Sequence, residues 1–258
     1  MTPLATEEMA DSDSDIEFED VPLPSAQAST SNHMPSNGIH PSGVQLPRQP
    51  WTPTLSLPQQ RAGPVPAGSE DETQLRGRLS TGIERINYRQ MKSVMGMDAP
   101  DDRASSRRYE SFKELALDVE GLVDMLWASA TPSIATEGLI TLAGILEMAL
   151  PTHTFDPPST LTILSKFDAI FAALCTGLHP LTESALPGAD SGRPLVTQTQ
   201  KVRIRSLAET TRNQIFLLLP DPDEGDGGDE NENESADEQP WLMEATRVYD
   251  RTLMLLAD

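Results

Sequence analysis

Apolar residues recur at intervals of three and four over most of the chain beyond residue 105, and this pattern constrains the fold more than any other feature. In residues 107–129, Phe112, Leu115, Val119 and Leu122 fall on one face of a helix. Comparable patterns predict helices over 134–150, 156–177, 197–219 and 240–256. No stretch alternates apolar and polar residues as a strand would. The sequence therefore predicts an all-α fold, a single helical bundle of about five helices.

Two of the predicted helices carry almost no charge. The second contains only Glu137 and Glu147 as charged residues, and the third, beyond its N-cap Asp156, contains only Lys166 and Asp168. A helix that is apolar nearly all round belongs in the middle of a bundle, so we expect these two helices to be buried. Ser133 follows a Thr-Pro break and is expected to cap the second helix.

The formal charge of -21 is concentrated in two segments. Residues 1–72 contain eleven acidic residues against Arg48 and Arg61, and residues 221–238 contain ten acidic residues and no basic one. The first segment is also rich in proline and serine. Such compositions bury too little apolar surface to offset the entropy of ordering the chain. We therefore predict a disordered acidic tail over 1–70 and a disordered acidic loop over 221–238.

A basic helical segment and linker are predicted between the tail and the bundle, over residues 71–104. Its apolar residues at helical spacing are Leu75, Leu79, Ile83 and Ile86. Gly77 and Gly82 weaken the helix. The bundle itself is predicted to occupy 105–258, interrupted by the acidic loop.

The sequence lacks the motifs of common enzymes. It contains no Gly-Lys dipeptide and hence no Walker A loop, and it contains no H-E-x-x-H. The segment from Gly188 to Gly192 has the wrong spacing for a serine nucleophile elbow. Cys175 is the single cysteine, and no two histidines stand at ligand spacing. We expect a non-enzymatic protein without metal or cofactor.

Two groups of basic residues are candidates for binding a polyanion. They are Lys201, Arg205 and Arg212, which share one stripe of the fourth predicted helix, and Arg85, Arg89 and Lys92, which lie in the basic stretch 76–108. Lysine and arginine side chains on one face can contact the phosphates of a nucleic acid. They can equally form a solvated helix face or bind the acidic tails of the chain itself. Both interpretations remain open at the level of sequence.

The acidic tail contains two candidate phosphorylation sites. Ser12 and Ser14 are each followed three residues later by an acidic residue, a context that acidophilic kinases favour. Ile16 and Phe18 form a short apolar island in the same segment. Phosphates there would add negative charge and could engage a basic groove of a partner.

The longest apolar run, Leu139–Leu150, contains Glu147 and is shorter than a membrane span requires. The N-terminal residues lack the basic and apolar regions of a secretory signal. We expect no membrane partner and a location in the nucleus, with the cytoplasm as the alternative.

Several segments resemble a fungal family of short, acidic, helical proteins that often carry a meiotic-recombination label. The likeness rests on residues 109–127, on the break at 131–133, and on residues 166–174 and 201–212, and it covers about 75–219. It implies a fungal, nuclear protein with an accessory role in recombination. It does not imply a RecA-type recombinase, because a Walker A loop and alternating strands and helices are absent.

Two functions follow from these observations. The preferred one is a protein-interaction adaptor of a nuclear complex, in which the bundle is the platform and the acidic tail a regulated arm. The alternative is a DNA-binding accessory factor that uses the basic helix face. The adaptor is preferred because acidic segments of this charge would repel a polyanion or occupy the basic stripe themselves.

Overall fold

The computed structural model describes residues 51–97, 103, 106–189, 194–219 and 240–257. These residues contain seven α-helices and one 3-10 helix, joined by loops. The α-helices are α1 Glu70–Met95, α2 Phe112–Ala128, α3 Pro132–Ala149, α4 Pro157–Thr176, α5 Gln198–Leu218, α6 Leu242–Thr246 and α7 Asp250–Leu255, and the 3-10 helix is Leu150–Thr152. Within these residues β pairing is limited to one isolated bridge between Leu178 and Ala185. The predicted all-α fold is confirmed. The predictions for residues 1–50 and for the acidic loop 221–238 concern residues outside those that the structure describes.

The helix α3 occupies the centre of the bundle, in contact with α1, α2, α4 and α5. Gly138 and Gly144 of α3 lie against Leu79 of α1 and Leu207 of α5, respectively. The helix α4 packs on α2 and on α7. The middle position predicted for these two nearly uncharged helices is therefore confirmed.

Both central helices are long and apolar enough to span a membrane by length and composition alone. The segments concerned are Pro132–Thr152 and Pro157–Thr176, and 67% and 72% of their most apolar windows are buried among the other helices. Core helices of globular bundles have the same character.

Lys166 of α4 is the most deeply buried charge of the core, with 3% of its side chain exposed. Its Nζ donates to Glu120 Oε1 at 2.5 Å and to Asp124 Oδ1 at 2.9 Å, both on α2. Burial alone would lower the pKa of Lys166, but these two carboxylates outweigh it and hold the pKa above its usual range. The ion pairs therefore join α2 to α4 with the amine charged.

The helix α1 packs against α2 and α3. It begins at Ser69, whose hydroxyl accepts a hydrogen bond from Glu72 N, and ends at Gly96, which adopts a left-handed conformation with φ 65°. A Cβ atom at Gly82 would lie 2.6 Å from Leu122 Cδ2, so the glycine allows α1 to approach α2 closely. The sequence predicts a basic helical segment and linker before the bundle, whereas in the structure Leu75 and Ile86 on the inner face of α1 belong to the core of the bundle.

The segment 51–68 also differs from its expected place in a disordered tail. Trp51 and Leu57 pack against the core, and Val65 is only 7% exposed. The backbone N–H of Arg61 donates to the Ala128 carbonyl oxygen at 3.0 Å, at the end of α2 where carbonyls lack helical partners. This proline-rich segment is therefore held by contacts with residues distant in sequence, which its local composition does not predict.

Two local predictions are wrong. Ser133 does not cap α3, because the N-cap is Thr131 and Pro132 occupies the first helical position. The predicted final helix is broken into α6 and α7 at Tyr249, whose backbone is left-handed with φ 59°. The ring of Tyr249 is buried, so packing of the side chain compensates an uncommon backbone conformation.

Candidate interaction surfaces

The basic stripe predicted on α5 holds the C-terminal helices onto the bundle. Arg212 Nε donates to the Val248 carbonyl oxygen at 2.9 Å, and its Nη2 pairs with the Asp250 carboxylate. Arg205 Nη1 donates to the Leu256 carbonyl oxygen at 3.1 Å. Two of the three predicted polyanion contacts are thus used within the fold.

Lys201, the third residue of this stripe, is partly exposed, and its side chain forms no ion pair or hydrogen bond with any residue that the structure describes. Beside it on the same helix, Gln200 Nε2 and Arg203 Nη1 donate to Glu137 of α3 at 2.9 and 2.6 Å. These hydrogen bonds lower the pKa of Glu137, with Gln200 as the larger cause. Most of the α5 surface here is consequently occupied by contacts with its neighbours.

Asp168 of α4 anchors the C-terminal helices from the opposite side. Its Oδ1 accepts a hydrogen bond from Thr252 N at 2.8 Å, and its main-chain oxygen accepts one from Thr252 Oγ1 at 3.1 Å. The carboxylate therefore satisfies an N–H in the first turn of α7, a favourable site for a negative charge. A lone acidic residue on an apolar helix indicates a buried polar contact, but the partner of Asp168 could not be predicted from the sequence.

The basic residues predicted on α1 divide into two kinds. Arg89 has 12% of its side chain exposed, and it donates to Asp118 Oδ2 at 2.7 Å and to the Arg107 carbonyl oxygen at 2.7 Å. Lys92 is buried and donates to the Ser106 carbonyl oxygen at 3.0 Å. These two residues are structural, whereas Arg85 is exposed.

Tyr109 completes the contact of Arg89 with α2. Its ring lies 3.9 Å from the Arg89 guanidinium carbon, and its hydroxyl donates to Asp118 Oδ2 at 2.8 Å. Burial and the hydrogen bond to Asp118 raise the pKa of Tyr109 well above its usual range, so the phenol stays protonated. The cluster joins the start of α2 to α1 and is closed to a ligand.

A shallow groove runs along the seam between α1 and α2, on the outer side of the bundle. It has a volume of about 500 Å³ and is lined by Gln74, Gly77, Arg78, Thr81, Gly82, Arg85 and Leu122. A second depression of about 190 Å³ shares Gln74 and Arg78 with it and extends to Val65 and Met125. We call the two together the α1–α2 groove. The groove could not be identified from the sequence, because part of its apolar floor comes from α2, whereas Arg78 and Arg85 lie on α1.

A second surface lies where α1, α3 and α5 end. Gln90 of α1 donates to Thr152 Oγ1 at 2.9 Å, and Gln214 of α5 donates to Glu147 Oε1 of α3 at 3.0 Å, so these helix ends lie at one end of the bundle. The exposed apolar side chains there are Met91, Val94, Met95, Met97, Met148, Phe216 and Leu217. We call this set the methionine-rich end. Leu217 is 81% exposed, Phe216 72% and Met148 64%.

The cysteine and the two histidines that the structure describes are engaged in packing or hydrogen bonds. Cys175 is buried, and burial raises the pKa of its thiol. His153 Nε2 lies 2.9 Å from Gln90 Oε1, and the His179 ring packs on Trp127. In the described part of the chain no group of three or more histidine, cysteine or acidic side chains is placed to hold a metal ion. The candidate phosphorylation sites Ser12 and Ser14 lie outside the described residues.

Residues 108–257, which include α2 through α7, match the family TFB6, described as subunit 11 of the general transcription factor TFIIH. The match spans more than half of the 258 residues. The chain belongs to this family. No curated protein and no solved structure gave a significant match.

Family membership corrects the resemblance drawn from the sequence. The suggested relation to meiotic-recombination proteins is wrong, because the matching family is one of transcription-factor subunits. The match supports neither a role in recombination nor the fungal origin that the resemblance implied. The predicted nuclear location is confirmed, and membership is consistent with the predicted non-enzymatic role in a nuclear complex.

Proposed function

We propose that this chain is a non-enzymatic subunit of a TFIIH-type complex and that it binds a neighbouring subunit through its methionine-rich end. The observation that carries the proposal is the concentration of exposed apolar side chains where α1, α3 and α5 end. Large apolar patches are uncommon on proteins that act alone, and they are typical of interaction sites. The family description, a subunit of a general transcription factor, supports the same function.

The composition of this end supports a protein ligand in particular. Four of its seven side chains are methionines, Met91, Met95, Met97 and Met148. Methionine is flexible and polarisable, so surfaces rich in it adapt to apolar side chains of a partner. The exposed aromatic ring of Phe216 adds the type of anchor that is common at the centre of interfaces.

DNA binding is less well supported than protein binding. Arg205, Arg212, Arg89 and Lys92 donate to carbonyl or carboxylate oxygens within the fold. A DNA-binding face needs several lysine or arginine side chains that are free of ion pairs within the fold and directed at the phosphates. The acidic composition of residues 1–72 and 221–238 opposes a polyanion further.

The acidic N-terminal segment extends the proposal. Phosphorylation of Ser12 and Ser14 would increase its charge, and the segment would then act as a regulated arm with a stronger attraction to basic surfaces, whether of a partner or of the chain itself. This part of the proposal rests on the sequence alone.

The test changes the methionine-rich end without changing the core. The double variant Met148→Lys, Leu217→Lys places two charges on exposed positions near helix C-termini, where cations are tolerated. Val202→Lys is the matched control, because Val202 is a comparably exposed apolar side chain near the start of α5, at the opposite end of that helix from Leu217. The full-length tagged chain is purified from nuclear extract, and TFIIH subunits in the eluate are quantified.

We expect the double variant to lower the recovery of TFIIH subunits by at least about tenfold, as removal of interface anchors does. The control should retain recovery, and circular dichroism and thermal unfolding of both variants should match the parent chain. Equal recovery with the double variant and the parent would refute the proposed surface. Failure to recover TFIIH subunits with the parent chain would refute the proposed function itself.

A further inference from the structure

We propose that the α1–α2 groove binds the acidic N-terminal segment of the same chain, residues Asp11–Val21, with Phe18 on the apolar floor and the acidic residues beside Arg78 and Arg85. The inference goes beyond the proposed function, since it assigns a ligand to a surface made of other residues than the methionine-rich end. It rests on the geometry of the groove, on its charge and on the composition of the segment.

The groove has an apolar floor with glycine at its side. Leu122 of α2 and Leu75 of α1 line its two parts, and Met125 continues the floor toward the end of α2. Gly77 has no atom within 4 Å of the position that a Cβ would take, so the helix surface is open there. An extended peptide with one or two large apolar side chains fits a shallow site of this kind.

Two arginines of α1 border this floor. Arg78 and Arg85 lie two helical turns apart on the same face of α1, and both are exposed. Neither forms an ion pair or hydrogen bond with any residue in the described ranges. By contrast, Arg89 on the next turn is fully engaged with Asp118 and the Arg107 carbonyl oxygen. The groove therefore presents positive charge. Its guanidinium groups are available to pair with a ligand, with solvent or with the residues outside the described ranges.

The chain contains two acidic segments, and their compositions distinguish them as ligands. Residues 11–21 combine six acidic residues with Ile16, Phe18 and Val21, whereas residues 221–238 contain no large apolar side chain. An apolar floor discriminates between the two, because burial of an aromatic side chain contributes more than exposed ion pairs do.

The N-terminal segment has enough chain to reach the groove. There are 29 residues between Val21 and Trp51, where the described part of the chain begins. Such a linker spans up to about 100 Å when extended and about 30 Å on average as a flexible coil. The 17 residues of α2 are only about 25 Å long, so the linker can cross the bundle. Tethering at this distance gives a millimolar effective concentration, which allows a weak site to be occupied.

The test uses the full-length chain with a photoreactive benzoylphenylalanine in place of Phe18. Irradiation followed by mass spectrometry locates the residues that contact this position. A mixture of isotopically labelled and unlabelled chains distinguishes cross-links within one chain from those between chains. The same photoreactive group in place of Met34, outside the acidic segment, is the positional control.

We expect cross-links from position 18 to peptides that contain Gly77–Arg85 or Leu122–Met125, within a single chain. The double charge reversal Arg78→Glu, Arg85→Glu should lower their yield by about fivefold, as loss of two exposed ion pairs would. Lys113→Glu is the matched control, because Lys113 is exposed and forms no ion pair or hydrogen bond with a described residue. It should leave the yield unchanged, whereas high salt should lower it.

Three results would overturn the inference. Cross-links from position 18 to the methionine-rich end would assign the segment to another surface, as would cross-links spread evenly over the chain. Cross-links only between chains would make the occupant a second copy. An equal cross-link yield in the double charge reversal and in Lys113→Glu would contradict the proposed role of Arg78 and Arg85.

Discussion

Arg212 Nε donates a hydrogen bond to the Val248 carbonyl oxygen across 2.9 Å, which joins the middle of α5 to the turn between α6 and α7. The same guanidinium pairs with Asp250, at the first position of α7. Asp168 binds the next turn of the chain from α4. Short helices of five and six residues are unstable alone, so these polar contacts and the burial of Tyr249 hold them in place.

Replacing Arg212 by alanine should release the C-terminal helices. The change removes a hydrogen bond to a carbonyl oxygen and an ion pair at a partly exposed site, and we expect it to lower the free energy of unfolding by about 1–2 kcal/mol. Amide hydrogen exchange in α7 should accelerate, whereas exchange in α3 should not. Lys201→Ala on the same helix serves as control, and similar exchange in the two variants would contradict this role of Arg212.

The two glycines of α1 should respond differently to substitution. Gly77→Ala should raise the free energy of unfolding by about 0.5–1 kcal/mol, because the site is open and alanine lowers the entropy of the unfolded chain. Gly82→Ala should lack this gain, because the new methyl group would meet the Leu122 side chain at 2.6 Å. Urea denaturation of both variants measures the difference. Equal stabilisation by the two would mean that α1 does not lie this close to α2.

Helices with clear end signals could be predicted from the sequence. The proline after Asp156 and the glycine at 177 mark the ends of α4, and the structure places them there. The segment 51–68 could not be predicted, because its order depends on hydrogen bonds to the end of α2 and to Thr131, more than sixty residues away. A pattern of neighbours in sequence contains no signal for such contacts.

The candidate sites show the same division. The spacing of Arg205 and Arg212 predicted their common face on α5, but the contact of that face with α6 and α7 depends on how the chain returns after residue 239. The methionine-rich end was missed because its members come from three helices and an adjoining turn, and each looks ordinary in its own helix. The family could not be inferred from packing patterns, which many helical proteins share.

His153 should make stability depend on pH. Burial lowers the pKa of His153, while Glu114 partly opposes this shift, so the folded protein favours the neutral imidazole. The neutral imidazole therefore contributes to the free energy of unfolding. This contribution is complete above the pKa of about 6.5 that histidine has in the unfolded chain, and it is lost as the pH falls through the lower pKa of the folded protein. Between about pH 7.5 and 5.5, His153→Gln should lose less stability than the parent chain in denaturant titrations. An identical loss in the two chains would contradict this role.

Ser12 and Ser14 should be phosphorylated by an acidophilic kinase. Asp15 and Glu17 stand three residues after them, whereas Ser25 is followed at the same distance by Ala28 and provides an internal control. Mass spectrometry of the full chain treated with such a kinase should find phosphate in peptides that contain residues 12 and 14 and not at residue 25. Phosphate at Ser25 with none at the two predicted positions would contradict the prediction.

The central claim is that the chain is an interaction subunit of a TFIIH-type complex. Its most direct test is the amount of TFIIH subunits that co-purify with the full-length tagged chain from nuclear extract at physiological salt, with and without nuclease. A protein-mediated assembly predicts equal recovery in both samples, since no nucleic acid bridges the components. Recovery that disappears after nuclease treatment, or that is absent from both samples, would contradict the account.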